Sequence, residues 1–321
     1  MKQAMSTKPK PFNTGYLPKE GGHKVYFAQY GNPKGETLVT LHGGPGSKSK
    51  PEHAQSYDLT KYRVITFDQR GCGKSLPVGE VKNNTLQDLI ADIERLRLKL
   101  KIEKWFVAGG SWGATLALAY AEKYPEKVKG LLLSSIFLAR PRDVQWAFTK
   151  EGGIERLFPD LWEKRMEFLK KFKATPANSA KVLLAKIQSS SSEEKVKEIV
   201  AGACNWEGNL MNAQEDLSFM EPEDVSESDI AGVKVYLHYE ANGFFLKSNQ
   251  LLAGLGKIRS IPTVILHGRY DVLCPVEQSW EVQKGLSNVE TIILPTSNHK
   301  LTAEGKTARK LAFDRFLGKH A

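Results

Sequence analysis

Apolar and polar residues alternate over 22–30 and stop at Gly31-Asn32-Pro33-Lys34-Gly35, a pattern that predicts an edge strand followed by a turn. The apolar-rich runs 37–41, 63–67, 105–108 and 131–133 read as further, buried strands. Between them Leu86, Leu89, Ile90, Ile93, Leu96 and Leu100 form a helical stripe with Thr85 placed to cap it. The Ala/Leu-rich segment after Ser111 predicts a second helix, ended by Tyr124-Pro125. Strand and helix thus alternate, which predicts a mainly parallel, doubly wound α/β sheet.

From about Ala139 the pattern changes. Leu157, Leu161, Trp162, Met166, Phe168 and Leu169 belong to helical periodicities with lysine-rich opposite faces, and the next expected strand is 233–239. The polar run 188–194 is short enough to be a loop between helices. Alternation resumes with a strand at 261–267, a helix at 277–286, a strand at 290–294 and a helix at 307–316. The expected organisation is a core formed by residues 1–138 and 249–321, interrupted by a mainly helical cap, or lid, over 139–248. Such a lid would exclude water and shape a pocket over the strand ends.

A chain of 321 residues with 41% hydrophobic content can bury one large core, or a core with a smaller insertion. Lys+Arg of 46 against Asp+Glu of 36 gives a net charge of +10, which raises the question of an acidic partner. The lysines are scattered, however, with no arginine-rich tract and no block of like charge, so neither nucleic acid nor a membrane surface is expected as a partner. Cys72, Cys204 and Cys274 have neither a disulfide framework nor metal-ligand spacing, which fits reduced thiols in a cytoplasmic setting. Residues 1–10 lack the apolar segment of a secretory leader, and no apolar run reaches membrane-spanning length.

Candidate chemistry centres on Gly109-Gly110-Ser111-Trp112-Gly113, a Gly-x-Ser-x-Gly sequence between a predicted strand and a predicted helix. Small residues two places either side of a serine suit a bend too tight for side chains, with the hydroxyl raised above the sheet edge at the positive end of the helix. A second glycine-rich stretch, His42-Gly43-Gly44-Pro45-Gly46-Ser47, follows the strand at 37–41 and brings bare backbone N–H groups to the same edge. In a serine hydrolase such a loop supplies half of an oxyanion hole, and the residue after the nucleophile supplies the other half. Gly44 and Trp112 are the candidate donors. Gly71-Cys72-Gly73 lacks the third glycine and following helix of a nucleotide loop.

A serine hydroxyl is a weak nucleophile at neutral pH and needs a base, itself oriented by an acid, in the chain order serine, acid, histidine. Four histidines follow Ser111. His320 adjoins the C-terminus, His238 falls in the lid, and His267 would leave no acid after the resumed sheet. His299 follows the strand at 290–294 through a short polar turn, and Asp271 follows the strand at 261–267 in the same way. Asp143, Asp160, Asp216, Asp224 and Asp229 all fall in the lid. Ser111, Asp271 and His299 are therefore the expected catalytic residues.

These motifs, with Gly31-Asn32-Pro33, Asp68-Gln69-Arg70-Gly71-Cys72-Gly73-Lys74-Ser75, Asp92-Ile93-Glu94-Arg95-Leu96-Arg97 and Gly268-Arg269-Tyr270-Asp271 with Cys274-Pro275, resemble the proline iminopeptidases, serine peptidases of the α/β-hydrolase fold. The resemblance covers nearly the whole chain. It implies release of N-terminal proline from peptides with a free N-terminus, without metal or cofactor. The chain departs from the family pattern at Ser47, where another glycine is usual, and at Asn298-His299, where a Gly-His pair is usual. The lid matches least. A broad aminopeptidase, an esterase or a lactonase on the same core is the alternative, and its pocket would lack a carboxylate for a substrate amine.

A free N-terminal amine is cationic, and enclosing it without an acceptor costs roughly 3 to 5 kcal/mol. By resemblance that acceptor role falls to lid glutamates. Asn205-Trp206-Glu207-Gly208 puts Glu207 in the place of one. The second is implied two residues ahead of His238-Tyr239, where this chain has Tyr236, with Glu240 beyond. On the strand expected there, 236 and 240 share a face but lie roughly 13 Å apart.

Overall fold

The computed structural model describes residues 8–321; the first seven residues of the leader reading lie outside the described residues. Eight strands form one sheet: β1 (Asn13–Tyr16), β2 (Tyr26–Gly31), β3 (Glu36–Leu41), β4 (Tyr62–Phe67), β5 (Trp105–Ser111), β6 (Val128–Ile136), β7 (Thr263–Gly268) and β8 (Val289–Leu294). Their spatial order is β1-β2-β4-β3-β5-β6-β7-β8. β2 pairs antiparallel with both β1 and β4, and every pairing from β4 to β8 is parallel. β2 is therefore interior, contrary to the edge position expected from its alternation. The edge is β1, whose Asn13-Thr14-Gly15-Tyr16 carries no alternating signal and pairs from Asn13↔Gln29 to Tyr16↔Tyr26.

The helices are α1 (Pro51–Ala54), α2 (Leu86–Lys99), α3 (Trp112–Lys123), α4 (Pro141–Phe148), α5 (Ile154–Leu157), α6 (Pro159–Lys171), α7 (Ser179–Ser189), α8 (Glu193–Met211), α9 (Glu227–Ala241), α10 (Gln250–Gly254), α11 (Glu277–Gly285) and α12 (Ala303–His320). Thr85 caps α2 as expected: its hydroxyl accepts from Asp88 N at 3.3 Å while Asp88 accepts from Thr85 N at 2.9 Å. Helices cover both sheet faces. On one, Val39, Ile65, Val107 and Leu133 pack with Leu89, Ile93, Leu116 and Tyr120; on the other, Leu38, Val64, Phe106 and Leu132 pack with Phe313, Phe316 and Leu317.

Helices α4 to α9 lie between β6 and β7 and form the cap, with its own apolar core around Leu169, Leu183, Ile199 and Leu237. Residues 233–239, expected as a strand, belong to α9. The alternation that suggested a strand is two helical pairs on two faces: Val235 and Tyr239 join the main core, while Val233 and Leu237 join the cap core. Ser226 begins the helix with a capping box, accepting from Asp229 N at 3.3 Å and donating its own N–H to Asp229 at 3.0 Å. Helix α9 thus joins the cap to the sheet.

Candidate active site

Parallel strands carry their C-terminal ends to one edge, and the loops leaving β3, β5, β7 and β8 meet there. Ser111 occupies the bend between β5 and α3 with φ 56° and ψ −129°, a conformation a side-chain-bearing residue adopts only under constraint. The flanking glycines make the bend possible. A Cβ on Gly109 would lie 2.1 Å from Gly113 O, and one on Gly113 would lie 2.3 Å from Leu41 O. The unpaired N–H groups at the start of α3 sit directly after Ser111, beginning with Trp112.

Asp271 and His299 are brought together from the loops after β7 and β8. His299 Nδ1 lies 2.8 Å from Asp271 Oδ2, and the other carboxylate oxygen accepts from Cys274 N at 2.8 Å. His267, set aside by chain order, sits behind the acid with Nε2 3.2 Å from Asp271 Oδ2 and 2.7 Å from Cys274 O. Burial alone would raise Asp271, but the His299 charge and the hydrogen bonds from both histidines outweigh it and hold the carboxyl well below its ordinary range. Burial likewise works to lower His299; the Asp271 charge and hydrogen bond, with Glu207 adding, leave it raised above its ordinary value. Ser135 Oγ donates to the His299 carbonyl at 3.2 Å, fixing that loop to β6.

The glycine-rich loop after β3 is braced by Gln69, a residue of the Asp68–Ser75 motif that the resemblance quoted without a role. Trp112 Nε1 donates to Gln69 Oε1 at 2.9 Å, and Gln69 Nε2 donates to the His42 carbonyl at 2.8 Å. Gln69 N donates to His42 Nε2 at 3.0 Å. One amide side chain thereby couples the two segments that hold Gly44 and Trp112. A Cβ on Gly46 would lie 2.1 Å from Gly232 O, so loop and α9 meet backbone to backbone. The Asp68–Ser75 segment is a hydrogen-bonded knot: Asp68 accepts from Ser49 N at 2.7 Å and Lys74 N at 2.8 Å, and buried Arg70 pairs with Asp92 at 2.6 Å.

A cavity of about 600 Å³ lies between sheet edge and cap, and Gly44, Ser111, Glu207, Tyr236 and His299 all open onto it. A small recess of about 20 Å³ beside Ser111 is walled by Phe137, Asp143, Ala147, Phe148, Leu273 and Cys274, and Glu207 and Tyr236 also line it. Glu207 is the only carboxylate that reaches both this recess and the larger cavity among the described residues. Burial pushes its carboxyl up to about 7, against the opposing pull of the His299 charge. Tyr236 reaches the cavity; Glu240 does not, and lines a separate pocket at the outer junction of cap and core. Asp271, Cys274 and His299 are the one grouping with metal-ligand spacing among the described residues. Burial pushes the Cys274 thiol well above its ordinary value, which keeps it protonated and a poor ligand.

The sequence profile of the alpha/beta hydrolase fold matches residues 36–306. A probable proline iminopeptidase of Leptolyngbya boryana is 39% identical over 311 residues, covering 96% of this chain and 95% of that one. The proline iminopeptidase of Neisseria gonorrhoeae is 38% identical with 88% of each chain covered, and that of Arabidopsis thaliana is 37% identical with 93% and 78% covered. Among solved structures, a proline iminopeptidase-related protein of Thermus thermophilus matches with TM-score 0.59 at 22% identity, over 96% of this chain and 98% of that one. An esterase of Exiguobacterium antarcticum matches with TM-score 0.63 at 18% identity, over 94% and 98%. At these identities the structural matches speak for the fold alone.

Proposed function

The chain belongs to the proline iminopeptidases of the α/β-hydrolase fold, and on that premise we propose that it releases N-terminal proline from peptides through an acyl-enzyme on Ser111. His299 takes the proton of the Ser111 hydroxyl as Oγ attacks the prolyl carbonyl, and Asp271 holds the imidazole in the required tautomer and stabilises it once charged. The carbonyl oxygen, now an anion, is received by the N–H groups of Gly44 and Trp112. Collapse expels the shortened peptide, whose new amine takes the proton from His299. Water, activated by the same imidazole, then releases free proline. Glu207 accepts the substrate's ammonium group in the cavity onto which Ser111 also opens. Residues 139–248 act as the lid that encloses it, and three unpaired cysteines suit a cytoplasmic setting.

The observation that carries this reading is a cavity with Ser111 and His299 on the sheet side and the Glu207 carboxylate on the cap side. An uncharged ester needs no such carboxylate. The test is release of 4-nitroaniline from L-proline 4-nitroanilide, compared with the alanine and leucine analogues and with 4-nitrophenyl acetate. A clear excess of kcat/KM on the proline substrate is expected. Comparable rates on all three anilides would replace proline selectivity with a broad aminopeptidase, and turnover of the ester alone would make the protein an esterase.

A further inference from the structure

A second cavity, of about 160 Å³, opens at the C-terminal ends of β3, β5 and β6, with neither Ser111 nor His299 in its walls. Gly43 lines both it and the substrate cavity, so main chain of the glycine-rich loop stands between the two. His53, Ser56 and Tyr57 form one wall and Arg309 and Phe313 of α12 another, with Ser134 at the β6 end. Tyr57 stacks on Phe313 with ring centres 6.4 Å apart, which gives the cavity an apolar side. Among the described residues no aspartate or glutamate lines it.

Arg309 Nη2 donates to Ser56 Oγ at 3.3 Å, which puts the guanidinium at the cavity wall. Among the described residues it makes no ion pair, whereas its neighbour Lys310 takes Asp314 at 2.7 Å. His53 is a second donor. Its Nδ1 accepts from Lys50 N at 3.4 Å, so the neutral ring carries its proton on Nε2, which has no partner among the described residues. Ser56 accepts from Arg309 and keeps its own O–H free to donate. The field around His53 is positive: after burial itself, the charges of His42, Lys50 and Arg309 oppose its protonation and hold the ring down to about 4, with Glu52 alone working the other way. Glu52 is itself paired with Lys8 at 2.8 Å. A cleft walled by cations and free of carboxylates concentrates small anions.

We propose that this cavity is a binding site for a small oxyanion, a phosphate or a carboxylate, held by the Arg309 guanidinium and the His53 Nε2–H with the Ser56 hydroxyl as a further donor. The guanidinium fork matches two oxygens of one anion, and only one of its N–H groups is engaged within the protein. The volume is below the roughly 300 Å³ of a pocket for a drug-sized ligand, so a nucleotide or a peptide does not fit, while an ion of a few heavy atoms with some of its water does. Occupancy depends on neither Ser111 nor the substrate it acts on.

The test is titration of the whole protein with inorganic phosphate at constant ionic strength, followed by calorimetry and by proton NMR of the histidine rings, before and after Ser111 is blocked with a fluorophosphonate. Saturation at a single site is expected, with a dissociation constant on the order of 1 mM that blocking leaves unchanged. The His53 ring signal, assigned by its disappearance in His53→Leu, should shift along the same curve. Arg309→Met should weaken binding by roughly 10-fold or more, Arg309→Lys by less, and His53→Leu by a smaller factor, with thermal melts to show that each variant is folded. A parallel titration with acetate tells a phosphate site from a carboxylate site, and saturation by either supports the proposal. Failure of both to saturate overturns it, as does chloride binding equally tightly or a His53 signal that stays still while phosphate binds. An affinity unaltered in both Arg309→Met and His53→Leu overturns it too. Loss of binding when Ser111 is blocked would put the anion in the substrate cavity instead.

Discussion

His299 Nδ1 stands 2.8 Å from Asp271 Oδ2; the two residues are 28 apart in sequence, on loops that leave the neighbouring parallel strands β8 and β7. That contact presents the opposite ring nitrogen for proton transfer and stabilises the imidazolium that transfer creates. With Ser111 on a strained bend at the same cavity, the three side chains should act as a unit. Ser111→Ala should lower kcat on the order of a millionfold and abolish labelling by a fluorophosphonate; His299→Ala should do about the same, and a double variant should lose little more. Asp271→Asn should cost on the order of 10⁴ in kcat. Mass spectrometry of the labelled protein checks the assignment, and label on any residue but Ser111 would name a different nucleophile.

The pH profile follows from the direction of the His299 shift. The base must be neutral to act, and Asp271 with Glu207 raises the imidazole pKa above its ordinary 6.5 despite burial. Activity should therefore climb with pH through an apparent pKa above that value. The ester 4-nitrophenyl acetate isolates this limb, since a peptide's own amine titrates at about 8. Asp271→Asn should move the limb of the residual activity to lower pH. A chelator such as EDTA should leave both rate and limb in place; activity lost to EDTA and restored by zinc would contradict a mechanism run by side chains alone.

Much of the architecture was legible because buried parallel strands announce themselves as apolar runs and because glycine spacing at 109 and 113 has one steric reason. β1 and α9 were not, nor were the short α1 and α10. β1 is four residues with no alternation, so its pairing with β2 depends on main-chain groups that leave no trace in sequence. In α9, Val233, Val235, Leu237 and Tyr239 imitate a strand because the helix is buried on two sides; the Ser226-x-x-Asp229 capping box was the signal that favoured a helix. The consequence reached the site: a separation of roughly 13 Å along a strand becomes one helical turn. Arg309 could not be read as part of a site, since its place beside Ser56 is set by how α12 packs on the sheet.

Stability should depend on a carboxyl away from the site. Glu122 on α3 has Oε1 enclosed without a hydrogen-bond partner, and burial pushes its carboxyl up to about 8, with Lys257 pulling the other way. The native state thus keeps a proton that the unfolded chain releases near 4.5. Between those values stability falls as pH rises, because folding must retain a proton the solvent no longer supplies. Glu122→Gln, neutral throughout, should remove that loss and stabilise by about 1–2 kcal/mol at alkaline pH, raising Tm by a few degrees, with little difference below about pH 4.5. Melting curves at both ends of the range check it; a gain equal at both would place its cause in packing.

The amine-reading role proposed for Glu207 makes the sharpest claim on substrate choice. Its carboxyl faces the cavity from α8 with burial pushing it up to about 7, so near neutral pH the free protein holds it partly protonated. A cationic amine is accepted far more strongly by the ionised form, so binding favours release of that proton to solvent. Glu207→Gln removes that charge while keeping the shape. It should lower kcat/KM for L-proline 4-nitroanilide by about 1.5–3 kcal/mol, a factor of roughly 10 to 100 expressed mainly in KM, relative to 4-nitrophenyl acetate. The KM of the parent protein for the anilide should worsen as pH falls through about 7, and the Gln variant should lose that limb while keeping the His299 limb seen with the ester. Steady-state kinetics of both substrates from pH 5.5 to about 8.5 measure both effects. Equal losses on anilide and ester would mean that Glu207 supports the cavity without reading the amine, and the esterase reading would then take its place.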